Sequence, residues 1–161
     1  MKKLLIVPVC ILLIIAFKSC ADSASDYVSK YSPGDEPEPN APSTYSSRPN
    51  ENQGEYHVKS RNVTFEVWDD GNHIDGDIVS LIVNNTTILD EYELKGPSDK
   101  KSIKFTLDNN GYNWVLLYAH NEGTSPPNTC AVTCDDGSSE QKFGVSSRLD
   151  SNGYVYLIVD K

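Results

Sequence analysis

Residues 78–92 read Ile78-Val79-Ser80-Leu81-Ile82-Val83-Asn84-Asn85-Thr86-Thr87-Ile88-Leu89-Asp90-Glu91-Tyr92, and this stretch decides the fold class. Its first six residues are almost continuously β-branched or apolar, which suits a central strand with little water on either face. Asn84-Asn85 then supplies a tight hairpin turn, because Asn tolerates the positive φ that two-residue turns require. Residues 87–92 form the returning arm. Upstream, residues 62–68 have a period of two: Val63, Phe65 and Val67 lie on one face, Thr64, Glu66 and Trp68 on the other. Downstream, residues 102–107 are followed by the turn Asp108-Asn109-Asn110-Gly111, and segments 112–119, 129–134, 142–145 and 154–159 complete the series. Seven to eight short strands at this spacing, with no stretch of helical period, predict an all-β immunoglobulin-like β-sandwich. A small β-barrel is the alternative.

The N-terminus has a different character. Lys2 and Lys3 precede an apolar run from Leu4 to Phe17, followed by Lys18. Such a run reaches only about 21 Å as a helix, short of a bilayer core of about 30 Å. A basic start and a short apolar stretch are the marks of a secretory signal, here residues 1–19. Ser19-Cys20-Ala21 resembles the lipobox of bacterial lipoproteins. That resemblance implies lipidation at Cys20, with Phe17 and Lys18 departing from the usual pattern. Two or three acyl chains anchor stably where one does not, since each buried methylene contributes about 0.8 kcal/mol.

Residues 20–55 read as an extended, disordered tether, rich in Pro, Ser and acidic residues and poor in apolar ones. Within it, Asp22-Ser23-Ala24 resembles an O-glycosylation acceptor motif of Bacteroidota. Residues 56–161 are then the folded domain. The whole chain carries a net charge of −9, and residues 56–161 hold sixteen acidic against nine basic residues. No basic stripe interrupts this, so nucleic acid is excluded as a partner.

Several blocks carry a wider resemblance. Trp68-Asp69-Asp70, Asp75-Gly76-Asp77-Ile78-Val79-Ser80-Leu81, Leu117-Tyr118-Ala119-His120-Asn121-Glu122-Gly123 and Pro126-Pro127-Asn128-Thr129 are similar to recurring blocks of a family of secreted or lipid-anchored Bacteroidota proteins. The similarity covers residues 62–159. It implies a β-sandwich in the cell envelope, lipid-anchored to the outer membrane and facing the periplasm or the surface. It implies no activity.

No nucleophile–base pair, H-E-x-x-H, C-x-x-C or phosphate-binding glycine loop occurs, and a non-enzymatic role is expected. His57, His73 and His120 lack ligand spacing and read as surface or loop residues. Cys130 and Cys134 are four residues apart, about 13 Å in a straight strand, too far for a disulfide. Two buried core thiols are expected.

Two constellations stand out. Asp69, Asp70, Asn72, Asp75 and Asp77 fall within nine residues. Hard cations such as calcium take six to eight oxygens, so Asp69, Asp70, Asp75 and Asp77 are candidate metal ligands. Ranked ahead of that is loop-locking without a cofactor: Asp75 and Asp77 bonding a second loop that holds Asn121 and Asn128, the two loops sharing one end of the sandwich. The other constellation is aromatic. Tyr112, Trp114 and Tyr118 share one face of a strand and Tyr154 and Tyr156 one face of another, a platform for sugar rings if the strands are neighbours. Core packing or cross-strand pairing is the more ordinary explanation. The function expected is therefore a membrane-anchored binding or adhesion module for a glycan or an envelope protein. The alternative is a structural component of an envelope assembly without a small ligand.

Overall fold

The computed structural model describes residues 39–70 and 74–160; the signal segment, Cys20, Asn72 and His73 lie outside these. The strands are β1 (Thr44–Tyr45), β2 (Arg48–Val58), β3 (Asn62–Asp69), β4 (Ile78–Val83), β5 (Thr86–Glu93), β6 (Lys101–Thr106), β7 (Gly111–Ala119), β8 (Asn128–Asp135), β9 (Glu140–Ser147) and β10 (Asn152–Val159). Among the described residues no helix is long and apolar enough to cross a membrane. The eight segments expected to be strands all are, within a residue or two at each end.

The strands form a β-sandwich of two sheets, ordered β1-β2-β10-β7-β4-β5 and β6-β3-β8-β9. The run β10-β7-β4-β5 follows the G-F-C-C′ order of a variable-type immunoglobulin sheet. Two connections depart from that plan: only β6 lies between β5 and β7, and between β7 and β10 the chain leaves this sheet and adds the β8–β9 hairpin to the other. The β4–β5 turn is as the dipeptide required, with Asn84 at φ 45° and Asn85 at φ 71°.

Period-two alternation points one side of each strand into a single core: Val63, Phe65 and Val67 of β3, Val79, Leu81 and Val83 of β4, Val115 and Leu117 of β7, Cys130, Val132 and Cys134 of β8, Phe143 and Val145 of β9, and Val155, Leu157 and Val159 of β10. Both thiols are free and buried. Burial raises their pKa values, that of Cys134 to about 12 with Asp136 and Asp135 adding to the rise.

The domain boundary expected at residue 56 is corrected. Folded structure includes β1 and β2, so the domain takes in residues assigned to the tether. β2 pairs in parallel with β10 from Asn152↔Asn50 to Val159↔Val58. Its sequence, RPNENQGEYHV, shows no apolar alternation because only its end reaches the core, where Val58 is buried and Tyr56 stacks on Phe143 with centroids 4.7 Å apart. Backbone pairing carries the rest. Gln53 also bridges the sheets: its Nε2 donates to the Ser146 carbonyl (2.9 Å) and its Oε1 accepts the Ser146 N–H (2.8 Å). A side-chain amide thereby imitates a strand partner for the edge of β9.

Candidate functional site

The loop between β3 and β4 meets the loop between β7 and β8 at one end of the sandwich, as the loop-locking reading expected. Asp75 Oδ2 accepts the N–H groups of Thr124 (2.9 Å) and Ser125 (2.8 Å). Asn121 ties the loops a second time: its Oδ1 accepts the Ile78 N–H and its Nδ2 donates to the Gly76 carbonyl, both at 2.8 Å. The Asp77 carboxyl lies beside the Thr129 N–H and the Asp75 carboxyl, both of which act on its titration. Gly123, at φ +49°, packs so tightly that a Cβ there would lie 2.6 Å from Asp77 Oδ1 and 2.7 Å from Asp75 Cγ. Three of the four expected locking residues therefore act. Asn128 does not: it is fully buried, and neither Oδ1 nor Nδ2 has a hydrogen-bond partner.

Three of the four candidate metal ligands converge. Carboxylate oxygens of Asp69, Asp75 and Asp77 lie within 4.8 Å of one another, with Asp69 and Asp77 buried. Asp70 does not join them; it is exposed and its backbone N–H is bonded to the Thr129 carbonyl. Burial, then the neighbouring Asp75 and Asp69 charges, push the Asp77 pKa up from 3.8 to about 7. A carboxyl whose pKa is raised on folding contributes most below its unfolded value, and that contribution disappears as pH rises through the folded one. With a chelator present, the urea midpoint is expected to fall between pH 4 and 7, and Asp77→Asn to flatten the fall. A wild-type midpoint that rises with pH across this window would contradict the assignment.

The aromatic residues also converge, but not in the core. β7 and β10 are neighbours, with Tyr156 opposite Trp114 and Tyr154 opposite Leu116. The rings occupy the face of the large sheet that turns away from the other sheet. There Ile82, Trp114, Leu116, Tyr156 and Ile158 form a second apolar cluster, with Tyr45, Tyr112, Tyr118 and Tyr154 half-buried against it. Tyr156 meets Tyr112 and Tyr154 edge-on at 5.2 and 5.3 Å. Of the two ordinary explanations, cross-strand pairing holds, on an outer face and not in the core between the sheets.

At one end of this face stands a polar group that sequence reasoning passed over. The Arg48 guanidinium lies 4.1 Å from the Tyr118 ring centroid and donates to the Ala119 carbonyl at 2.7 Å. His120 packs edge-on against Tyr118, and its Nε2 lies 2.8 Å from Ser80 Oγ. Ser80 Oγ donates to Asp90 Oδ1 (2.9 Å) and accepts the Glu91 N–H (3.0 Å), which leaves His120 Nε2–H as the remaining donor. The hydroxyl fills the kink at Glu91, where φ is 41°. Arg48 falls within the segment expected to be tether, and His120 among the histidines expected on the surface or in loops. The period that places His120 beside Ser80 becomes legible only once β4 and β7 are known to pair.

At the opposite end of the sandwich, a surface groove of about 650 Å³ runs past Asn62, Thr64, Lys104, Thr106 and Asp135. No family model matches the chain, and no curated protein or solved structure matches it.

Proposed function

We propose that this protein is a lipid-anchored binding module whose ligand surface is the aromatic outer face of the large sheet, and that the ligand is a neutral glycan. The observation that carries the reading is the second apolar cluster: a sandwich needs one buried face per sheet, and this sheet has two. Half-buried rings offer flat apolar contact to the C–H faces of pyranoses. Arg48, His120 and Asp90 at the end of the face supply hydrogen-bonding groups of both kinds. The acidic surface disfavours anionic polymers.

Anchoring is tested on Cys20. The Cys20→Ala chain is expected to move from the membrane to the soluble fraction and to lose fatty-acid labelling; persistent labelling would rule out lipid on that residue. Binding is tested with the same soluble chain by affinity electrophoresis in gels cast with glucan, mannan or galactan. At least one polymer is expected to retard it, and Tyr118→Ala or Tyr154→Ala to weaken the retardation about tenfold, a loss of roughly 1.4 kcal/mol. Unretarded migration in all three gels, with specific capture of one envelope protein instead, would overturn the glycan reading.

A further inference from the structure

A separate feature, at the loop end of the sandwich, goes beyond that reading. We propose that Asp69, Asp75, Asp77 and the side-chain carbonyl of Asn128 form a calcium site between the two sheets. Three carboxylate oxygens within 4.8 Å of one another are close enough to close on one ion at Ca–O distances of about 2.3–2.6 Å with small side-chain shifts. Asp69 is the last residue of β3 and Asp77 the residue before β4, so two of the three carboxylates are held at strand ends in the two sheets, and Asp75 comes from the loop that joins them.

Asn128 is the independent observation. It is fully buried, and both atoms of its amide are without a protein partner, a costly arrangement for a group with three or four bonds to make. It shares the inward face of β8 with Cys130, which is paired with Asp69 of β3. Same-face diagonal neighbours on antiparallel strands stand about 7–8 Å apart, so the Asn128 amide faces the same inter-sheet space as the Asp69 carboxylate. The N–H of the next residue, Thr129, is near enough to Asp77 to act on its carboxyl, which brings Asn128 close to that carboxylate as well. One Asp77 oxygen, Oδ1, is buried and has no hydrogen-bond partner either.

A cation answers the oxygen features together and leaves the Asn128 Nδ2 donors to water. It neutralises clustered carboxylates, coordinates Asp77 Oδ1 and gives the Asn128 carbonyl a ligand role. Asp75 Oδ2 stays committed to Thr124 and Ser125, leaving Oδ1 for the ion. Water completes the six to eight oxygens that calcium takes, and the small count of carboxylates suits the roughly 10⁻⁴ M affinity of extracellular modules.

The test titrates the full chain, stripped of divalent ions with a chelator, with calcium chloride alone. At 10 mM, about a hundredfold above that affinity, the melting temperature is expected to rise on the order of 10 °C. Calorimetry is expected to give one ion per chain. Asp69→Asn and Asp77→Asn keep the side-chain shape and are expected to abolish the rise, and Asn128→Ala to weaken binding about tenfold. Should a variant fail to fold, the wild-type calorimetry still decides. No binding heat and no melting shift at 10 mM calcium would overturn the proposal, as would an undiminished shift in Asp77→Asn or an equal shift with magnesium chloride.

Discussion

Asp136→Ala is expected to lower the free energy of unfolding by about 3 kcal/mol, moving the urea midpoint down by roughly 1.5 M. The carboxylate sits in the β8–β9 turn with five donors around it: the N–H groups of Lys59 (2.6 Å), Ser138 (2.8 Å) and Ser139 (2.7 Å), and the hydroxyls of Ser138 (2.8 Å) and Ser139 (3.0 Å). The bond to Lys59 joins this turn to the β2–β3 connection, so the loss reaches beyond the turn. Hydrogen bonds to a charged acceptor contribute about 1.5–3 kcal/mol each when isolated, but five on one group are far from additive. These donors hold the Asp136 carboxyl well below the usual carboxylate range, led by the Lys59 N–H. A depressed pKa gives stability that is present above the unfolded value near 3.8 and is lost as pH falls through the folded one. Acid unfolding of the wild type is therefore expected to steepen below pH 4, and in Asp136→Asn to be shallower. A midpoint within about 0.3 M of wild type for the alanine variant would show that water replaces the carboxylate without cost.

Gly153→Ala is expected to cost about 3 kcal/mol, at the upper end for overpacking. A Cβ at this position would run into the Ser146 carbonyl oxygen and Nε2 of Gln53, and lie 2.7 Å from Gln53 Cδ. The first of these is backbone and cannot swing aside. The substitution pushes on the Gln53–Ser146 bridge, so β9 should loosen from β10 and β2. Gln53→Ala, which removes the bridge without adding bulk, is expected to cost only about 1–2 kcal/mol for its two hydrogen bonds. Amide hydrogen exchange at Ser146 separates the cases: both variants should accelerate it, and Gly153→Ala more. Equal stability of Gly153→Ala and wild type would mean that the sheets part at this edge without resistance.

The eight strands from β3 to β10 were readable because each presents alternating or continuous apolar residues, and all but β5 and β9 are followed within two residues by Asn or Asp. β2 was not, since its pairing with β10 is a matter of backbone hydrogen bonds and its side chains, Val58 and Tyr56 apart, read as solvated. The loop lock was readable in kind: Asp75 and Asn121 bond across the two loops because short polar side chains next to strand ends do so. Asn128 has the same composition and the opposite behaviour. Its place on the inward face of β8 follows from register, which no local pattern reveals. The Asp135-Asp136-Gly137-Ser138-Ser139 run carries a strong turn signal, yet nothing local distinguishes the carboxylate that gathers five donors from its neighbour. For the aromatic rings, period two gave the correct face-sharing. Which side of the sheet that face would be depended on Val115 and Leu117 packing inward instead.

The central claim is that the aromatic outer face receives a ligand. Its most direct test uses the chain's own reporters, because it has two tryptophans. Trp68 lies on the other sheet beneath Lys100 and Lys142, 4.3 and 5.2 Å from its ring centroid, and Trp114 lies in the aromatic cluster. In a soluble Cys20→Ala chain that also carries Trp68→Phe, emission comes from Trp114 alone. Titration with glucan, mannan and galactan is expected to change that emission saturably for at least one polymer, and adding Tyr118→Ala is expected to shift the midpoint about tenfold. Emission that stays constant through all three titrations would contradict the account.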